Sequence, residues 1–494
     1  MVKRNLLNKA IHYTFSSIIN KGTAFLVLPV ISNFLAPGEY AVYALMALFS
    51  SIAALFYQVG IHQSLMTFYH KTNDNQYKSS LVKTSYFTII LNGLFLTTLI
   101  ILFRTQITNL ILSSDSVLAS RYTYLLIWFS IISLLTVIKG ITLALLNIRQ
   151  NSKSYSKLSL STNIVFIPLF ILSAILGFLT LDILVKILFI SSLISAIFAF
   201  YYMQQIISEL NINCTNKVIF SWKMLKEILP FSIIIIPATI SILFLQSADR
   251  YMLSLFSPDK LHDTGIYAIS YKVGMILSLL TSVFDLVFFP FILKLGNSDL
   301  AKKHLKRVYN FYLLIGSLIG YCIIIFSQEI FLLFNPQYAE GGKYVFIGVI
   351  SVFMHGLANI IVLGLYILRK SKKISAGIII GALINIGLNY ILIPEYGMLG
   401  AGIASILAYL FIVIYDLFVT ERIFAVGYNP FYLLIVTIIF GLISWLNFLI
   451  ESSVNTLFYK LGYIIIGFLI LLFFMKKNRE YKNMIIDLLQ VKNK

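Results

Sequence analysis

Charge is scarce in this chain: only 12% of its 494 residues are Asp, Glu, Lys or Arg, about half the share in an average soluble protein. A soluble fold of this size would need more polar residues to cover its surface, so the solvent implied for most of the chain is lipid. Carboxylates are the scarcer sign, 19 against 38 Lys and Arg. Cysteine occurs twice, as Cys214 and Cys322, which excludes a disulfide framework and leaves no thiol metal spacing. Walker-type glycine loops, His/Cys metal spacings and Ser/His/Asp sets are also missing, so neither ATP hydrolysis nor a familiar catalytic class is indicated, and no cofactor or metal is expected. Long polar stretches are absent too. The longest candidates, Gln204–Glu227 and Lys476–Lys494, are too short for the soluble catalytic region of a polytopic glycosyltransferase or polymerase.

What fills the chain instead is apolar runs near 20 residues long, the length that crosses about 30 Å of hydrocarbon as helix. The runs are continuous rather than alternating, which excludes a membrane β-barrel. Spans are expected near Ile11–Leu35, Ala41–Gly60, Leu81–Phe103, Tyr122–Asn147, Leu158–Leu179, Ile183–Met203, Ile228–Phe256, Gly265–Leu293, Val308–Ser327, Tyr344–Leu368, Ile374–Ile393, Met398–Phe418, Pro430–Ile450 and Leu457–Met475. The run after the basic start Met1–Lys9 continues without a small-residue cleavage site, so the first span reads as a retained signal-anchor. The fold class is therefore an all-α polytopic membrane protein of about 14 transmembrane helices.

The net charge of +19 does not indicate nucleic acid, because the positive residues alternate from side to side. With the N-terminus cytoplasmic, 28 of the 38 Lys and Arg fall on cytoplasmic segments. The densest groups are Lys302/Lys303/Lys306/Arg307, Arg369/Lys370/Lys372/Lys373 and Lys476/Lys477/Arg479. Outside are Arg104, Arg121, Lys186, Lys260, Lys343 and Lys460. This positive-inside pattern places both termini in the cytoplasm.

Gly38-Glu39-Tyr40-Ala41 opens span two and Gly265-Ile266-Tyr267-Ala268 opens span eight, each after a proline-containing helix. The same offset sets Asn163 against Tyr390, beside Asn389. Two six-helix bundles, 1–210 and 211–425, are expected around a central cavity, related by an axis along the membrane normal. Two further helices and a basic tail occupy 426–494. Pro29, Pro230, Pro237 and Pro290 are expected to kink their helices.

Four cations, Lys21, Lys139, Arg250 and Lys272, fall inside apolar runs. A charge at bilayer depth costs roughly 3 kcal/mol on insertion scales, so each is expected to face a cavity, an anionic cargo or a partner charge. Arg250 and Lys272 lie in the outer third, Lys21 and Lys139 in the inner half. Together they form a depth ladder for a diphosphate, with Arg250 forking onto its oxygens. The competing reading pairs these cations with Asp249 or Asp285, or lets the lysines snorkel to headgroups. In span eight, Tyr267, Tyr271, Ser278, Ser282 and Asp285 fall at steps of four, seven, four and three. On a regular helix that is one face roughly 60° wide, lining a cavity or bonding to neighbouring helices. Asn385 and Asn389 share a face of span eleven with the same two readings. Asp285, then Asp249, are the candidates for coupling transport to an ion; Asp416 ranks lower because it sits near the cytoplasmic rim.

Three stretches carry a family resemblance. The first runs Pro29-Val30-Ile31-Ser32-Asn33-Phe34-Leu35-Ala36-Pro37-Gly38-Glu39-Tyr40-Ala41-Val42-Tyr43-Ala44-Leu45. The second runs from Leu229-Pro230 through Ser247-Ala248-Asp249-Arg250-Tyr251-Met252-Leu253 to Gly265-Ile266-Tyr267 and Tyr271-Lys272. The third is Asn385-Ile386-Gly387-Leu388-Asn389-Tyr390-Ile391-Leu392-Ile393-Pro394-Glu395-Tyr396-Gly397-Met398-Leu399-Gly400-Ala401. Taken in order, they resemble the polysaccharide lipid-carrier flippases, the Wzx-type O-antigen and capsule translocases of the multidrug/oligosaccharidyl-lipid/polysaccharide exporter superfamily. At Ser32-Asn33 the chain departs from the many relatives with an Arg there, and Lys21 is the substitute cation. The resemblance implies alternating access in a bacterial inner membrane, exporting an undecaprenyl-diphosphate-linked oligosaccharide on an H+ or Na+ gradient. Membrane lipids, a polysaccharide polymerase and chain-length proteins are the implied partners. A multidrug/cation antiporter of the same superfamily is the alternative; its cavity would be lined by acids rather than bases.

Overall fold

The computed structural model describes residues 2–112, 116–211, 220–284, 288–449, 460 and 462; the expected span Leu457–Met475 thus lies almost wholly outside the described residues. Among those described there is helix and no strand. Eleven helices are long and apolar enough to cross a membrane, or twelve with one bent pair counted as a span. Each expected span as far as Pro430–Ile450 has a helical counterpart.

The chain packs as two compact units, Met1–Gly265 and Ile266–Lys494. The expected bundles meet at 210/211 by sequence repeat, whereas packing keeps the seventh span with the first unit. The first unit contains α1 (Val2–Phe34), α2 (Pro37–Gln58), α3 (Ile61–Phe68), α4 (Asn75–Leu102), α5 (Arg104–Ile111), α6 (Ser116–Ile148), α7 (Ser152–Ile175), α8 (Leu181–Asn211) and α9 (Trp222–Phe256). α6 is the centre, packing on α2, α4, α5 and α8, while α1 lies on α7 and α9 on α2 and α3. Tyr57, Ile61, Leu81, Ile89, Leu145, Met203 and Ile228 are buried together in its core. Several entries into helix are written locally: Asp74 accepts from the N–H groups of Gln76 and Tyr77, and Ser221 accepts from that of Met224, satisfying orphan donors of the first turn.

Helices α2 and α3 are split by two consecutive left-handed residues, Val59 (φ 44°) and Gly60 (φ 68°). Gly60 is required there: a Cβ would lie 2.3 Å from the Ser232 carbonyl oxygen. The close approach lets the Ser64 and Ser232 hydroxyls meet at 2.6 Å. α9 bends by 44° between Trp222–Ile233 and Ile236–Phe256, where Pro230 and Pro237 remove backbone donors. Pro290, expected to kink a helix, is the second residue of α12; residues 285–287, where that kink would fall, lie outside the described residues.

The second unit takes in the later part of α10 (Lys260–Gly274), α11 (Ser278–Val283), α12 (Phe289–Leu295), α13 (Asp299–Ile325), α14 (Ser327–Phe331), α15 (Val345–Ile361), α16 (Leu363–Ile367), α17 (Ser371–Ile423) and α18 (Pro430–Leu449), with 3-10 turns at Met275–Leu277 and Pro336–Tyr344. Tyr312 and Phe353 stack at 5.3 Å, and Phe440 meets Phe353 at 5.0 Å and Tyr321 at 4.6 Å, an aromatic column joining α13, α15 and α18. α17 is two antiparallel arms joined at Gly397 (φ 53°, ψ −127°). Small residues let the arms close on each other: a Cβ on Gly381 would be 2.5 Å from Ile412, and one on Gly377 2.6 Å from Tyr415. This is the small-residue packing that membrane helices use where no hydrophobic force drives them together.

Candidate functional site

The most informative polar cluster lies in the first unit, where α1, α6 and α7 converge. The Lys139 ammonium of α6 donates to Thr162 Oγ1 at 2.7 Å and to the Ser159 carbonyl at 3.2 Å. Neither is a carboxylate, and among the described residues Lys139 forms no ion pair. From α1, the Asn20 amide donates to Ser159 Oγ at 2.8 Å while its Oδ1 accepts from the Asn163 amide at 2.8 Å. Ser159, Thr162 and Asn163 sit at i, i+3 and i+4, one face of α7. The polar run continues on both sides, with Ser156 donating to the His12 carbonyl at 2.7 Å and Ser161 meeting Ser195 at 2.6 Å. Lys21 follows Asn20 directly in α1 and is half-buried. Neutral oxygens hydrogen-bond a cation without cancelling its charge, so these contacts orient Lys139 but do not neutralise it.

Asp249 and Arg250 lie late in α9. Asp249 is buried, and its Oδ1 accepts the Arg250 backbone N–H at 2.9 Å. Arg250 is half-buried, in the electrostatic neighbourhood of the fully buried Tyr40. The next residue, Tyr251, donates its hydroxyl to the Leu110 carbonyl at 3.0 Å, satisfying one of the orphan acceptors at the end of α5.

In the second unit, Tyr267 and Tyr271 of α10 are buried with ring centroids 6.0 Å apart, and Lys272 beside them is half-buried. The expected continuous stripe down span eight is corrected here. α10 stops at Gly274, a 3-10 turn covers Met275–Leu277, and α11 starts at Ser278. A 3-10 turn advances 120° per residue against 100° in α-helix, so Ser278 and Ser282 are rotated off the tyrosine face. The interruption begins where Gly274 meets another backbone, a Cβ there falling 2.6 Å from the Val349 nitrogen. The Ser282 hydroxyl turns back onto the Ser278 carbonyl at 2.7 Å. Asp285, the leading coupling candidate, lies outside the described residues.

Asn385 and Asn389 are both buried in the first arm of α17. Asn389 donates to Asn385 Oδ1 at 3.1 Å, and Asn385 donates across the hairpin to Ser405 Oγ at 3.2 Å. Asn389 Oδ1 remains a buried acceptor with no hydrogen-bond partner among the described residues.

Sequence reasoning missed Asn20, Ser159 and Thr162, although the run Ser152-Lys153-Ser154-Tyr155-Ser156-Lys157-Leu158-Ser159-Leu160-Ser161-Thr162-Asn163 is the densest hydroxyl stretch on any span. It also ranked Asp416 below Asp285 and Asp249. Asp416 is 2% exposed, and its Oδ1 has no hydrogen-bond partner among the described residues; nor has Thr420 Oγ1, one turn on.

The family model for polysaccharide biosynthesis proteins matches residues 6–295. No curated protein matches the chain in sequence. Among solved structures, the lipid II flippase MurJ in its inward closed conformation superposes with a TM-score of 0.68 at 17% identity, over 94% of this chain and 98% of that one. An inward-facing multidrug-resistance MATE family transporter of the MOP superfamily gives 0.60 at 12% identity, over 80% and 93%. A mutant of the Vibrio cholerae MATE transporter VcmN gives 0.53 at 13%, over 87% and 96%. At these identities the likeness establishes the fold.

Proposed function

Because the chain belongs to the polysaccharide biosynthesis protein family, we propose that it is a carrier, not an enzyme, that flips a lipid-linked oligosaccharide with an anionic, diphosphate-type head across a bacterial inner membrane. The observation that carries this reading is Lys139, whose ammonium rests on Thr162 Oγ1 and the Ser159 carbonyl rather than on a carboxylate. A lysine kept only to pin helices together is better neutralised, since an uncompensated cation in a span is costly. Left positive, it attracts a phosphorylated head while the polyprenyl tail stays in lipid.

In this proposal both termini are cytoplasmic and the halves 1–210 and 211–425 rock about the cargo, with 426–494 appended. Lys21 and Lys139 receive the diphosphate, and Arg250 and Lys272 take it over after the rock. Tyr267, Tyr271, Ser278, Asn385 and Asn389 flank its path. An H+ or Na+ gradient supplies the energy through Asp249 or Asp285, and the product passes to a polymerase and chain-length proteins for O-antigen or capsule assembly. The buried carboxylates Asp249 and Asp416 favour the second reading, a multidrug/cation antiporter.

The test is surface-glycan display in cells that depend on this carrier. Arg250→Ala and Lys272→Ala should each abolish display at unchanged protein level, and normal display from both variants refutes the cargo role. Export of a cationic dye instead of glycan would establish the antiporter.

A further inference from the structure

The first unit holds a cavity of about 170 Å³ between α2, α5 and α9, lined by Leu45, Phe49, Leu110, Leu243, Ala248 and Tyr251 among others. Its walls are apolar, and the one polar atom at its edge, the Tyr251 hydroxyl, is turned onto the Leu110 carbonyl. A cavity of that size and lining stays dry and accepts a six-carbon apolar group. Leu45 lies eight residues into α2, about 12 Å along its axis, so the cavity sits at hydrocarbon depth, where the abundant small apolar group is a lipid chain. Its mouth is apolar as well: Leu110 is 65% and Phe244 38% exposed.

Charge near this mouth narrows the occupant. α5 begins at Arg104 and ends at Leu110–Ile111 on the cavity wall, about 9 Å apart at helical rise. Arg104 is exposed, and among the described residues only its Nη1 is engaged, on the Ile101 carbonyl at 3.2 Å. Arg121, exposed near the start of α6 on which α5 packs, lies over the Tyr122 ring at 5.3 Å. Among the described residues neither arginine forms an ion pair. One arginine heads the helix whose other end walls the slot, and the other lies on the helix packed against it, the placement a phosphate over a fatty chain would use.

We propose that this cavity is a binding slot for one acyl chain of an anionic glycerophospholipid, its phosphate held by Arg104 and Arg121. The slot is built from α2, α5 and α9 alone, so it stands whether or not the carrier takes a phosphorylated cargo. A seated chain fills the gap between α2 and α9 beside Arg250 and Tyr251, which makes the lipid a structural regulator of α9.

The experiment uses the full chain in vesicles containing phosphatidylglycerol with a diazirine halfway along one acyl chain, and maps the labelled residues by mass spectrometry. Label is expected on 45–52 and 243–251. Ala248→Phe, which occupies the slot, should lower that label about tenfold, the change one lost favourable contact set produces. Leu48→Trp, at a half-buried wall position, gives a second test should Ala248→Phe fail to fold, with melting temperature as the check on both. Arg104→Gln with Arg121→Gln should erase the preference for phosphatidylglycerol over phosphatidylcholine. Undiminished label in the filled variants overturns the slot. Equal labelling by both lipids in the unaltered chain overturns the phosphate contact, and displacement of the probe by polyprenyl phosphate but not by phosphatidylglycerol assigns the slot to a cargo tail instead.

Discussion

Replacing Lys139 by Met separates a transport cation from a structural pin. Met keeps the unbranched length of lysine and removes its charge. In the resting protein the ammonium makes two hydrogen bonds, at 2.7 and 3.2 Å. Bonds from a charged donor contribute roughly 1.5–3 kcal/mol each. Against them stands the desolvation of an ammonium among helices, several kcal/mol when fully buried and less here because Lys139 is half-buried. These terms nearly cancel, so Lys139→Met should change stability by no more than about 1 kcal/mol. Transport should respond quite differently. Losing one charge-assisted contact to a phosphate removes roughly 1.5–3 kcal/mol of cargo binding, a 10- to 150-fold loss of affinity. Lys139→Gln, which keeps a donor for Thr162 without the charge, should fail in the same way, and Lys139→Arg should retain part of the rate because its fork meets the phosphate differently. Reconstituted vesicles, with flipping read from protection of a labelled lipid-linked oligosaccharide, measure the rate, and thermal melting measures the stability. Wild-type flipping by Lys139→Gln would refute the reasoning outright. So would a Lys139→Met protein that melts several kcal/mol lower while flipping normally per folded molecule.

Two further outcomes test the fold. Gly60→Ala forces a Cβ to 2.3 Å from the Ser232 carbonyl at a left-handed φ of 68°; the conformational cost alone is roughly 1–2 kcal/mol, so melting should fall by more than that, and an unchanged melt contradicts the α3–α9 contact. Lys460 is almost fully buried on Glu329 Oε1 at 2.6 Å, with the Glu329 side chain 25% exposed. Lys460→Met should therefore cost about 1–3 kcal/mol, less than the 3–5 of a fully buried pair. Adding Glu329→Gln should recover most of it, and additive losses in the double variant would show that the two groups do not interact.

The spans were legible because hydrocarbon tolerates almost nothing but apolar helix, so composition alone marks them from Ile11 to Ile450. The break in span eight was not, because its cause is tertiary: Gly274 and Val349 belong to different helices, and nothing in Tyr271-Lys272-Val273-Gly274-Met275 announces a 3-10 turn. The stranded cations could be found by eye, but their partners could not. Asn20 and Ser159 are 139 residues apart, and a hydroxyl-rich face of α7 becomes an ammonium's cradle only once α6 is laid against it. Asp416 makes the same point: its position along the chain gives no sign that packing against the first arm of α17 buries it.

The sites of Lys139 and Lys460 argue most directly for a division between scaffold and path. Both ammonium groups sit among helices and both donate at under 3 Å. Lys460 meets a carboxylate, beside a network in which Gln328 donates to the Asn447 carbonyl and Asn447 to Ser327. Its charge is cancelled at contact, and what remains is adhesion between α14, α18 and the residue that follows them. Among the described residues, Lys139 meets only a hydroxyl and a peptide carbonyl. Dipoles orient a cation but leave its full charge to act at a distance, and at low dielectric that field reaches further than in water. A chain that places a carboxylate against one lysine has the means to do so at another, and scarcity of acids is no obstacle when one residue would suffice. The uncancelled charge at Lys139 is therefore the feature that the proposed anionic cargo would meet.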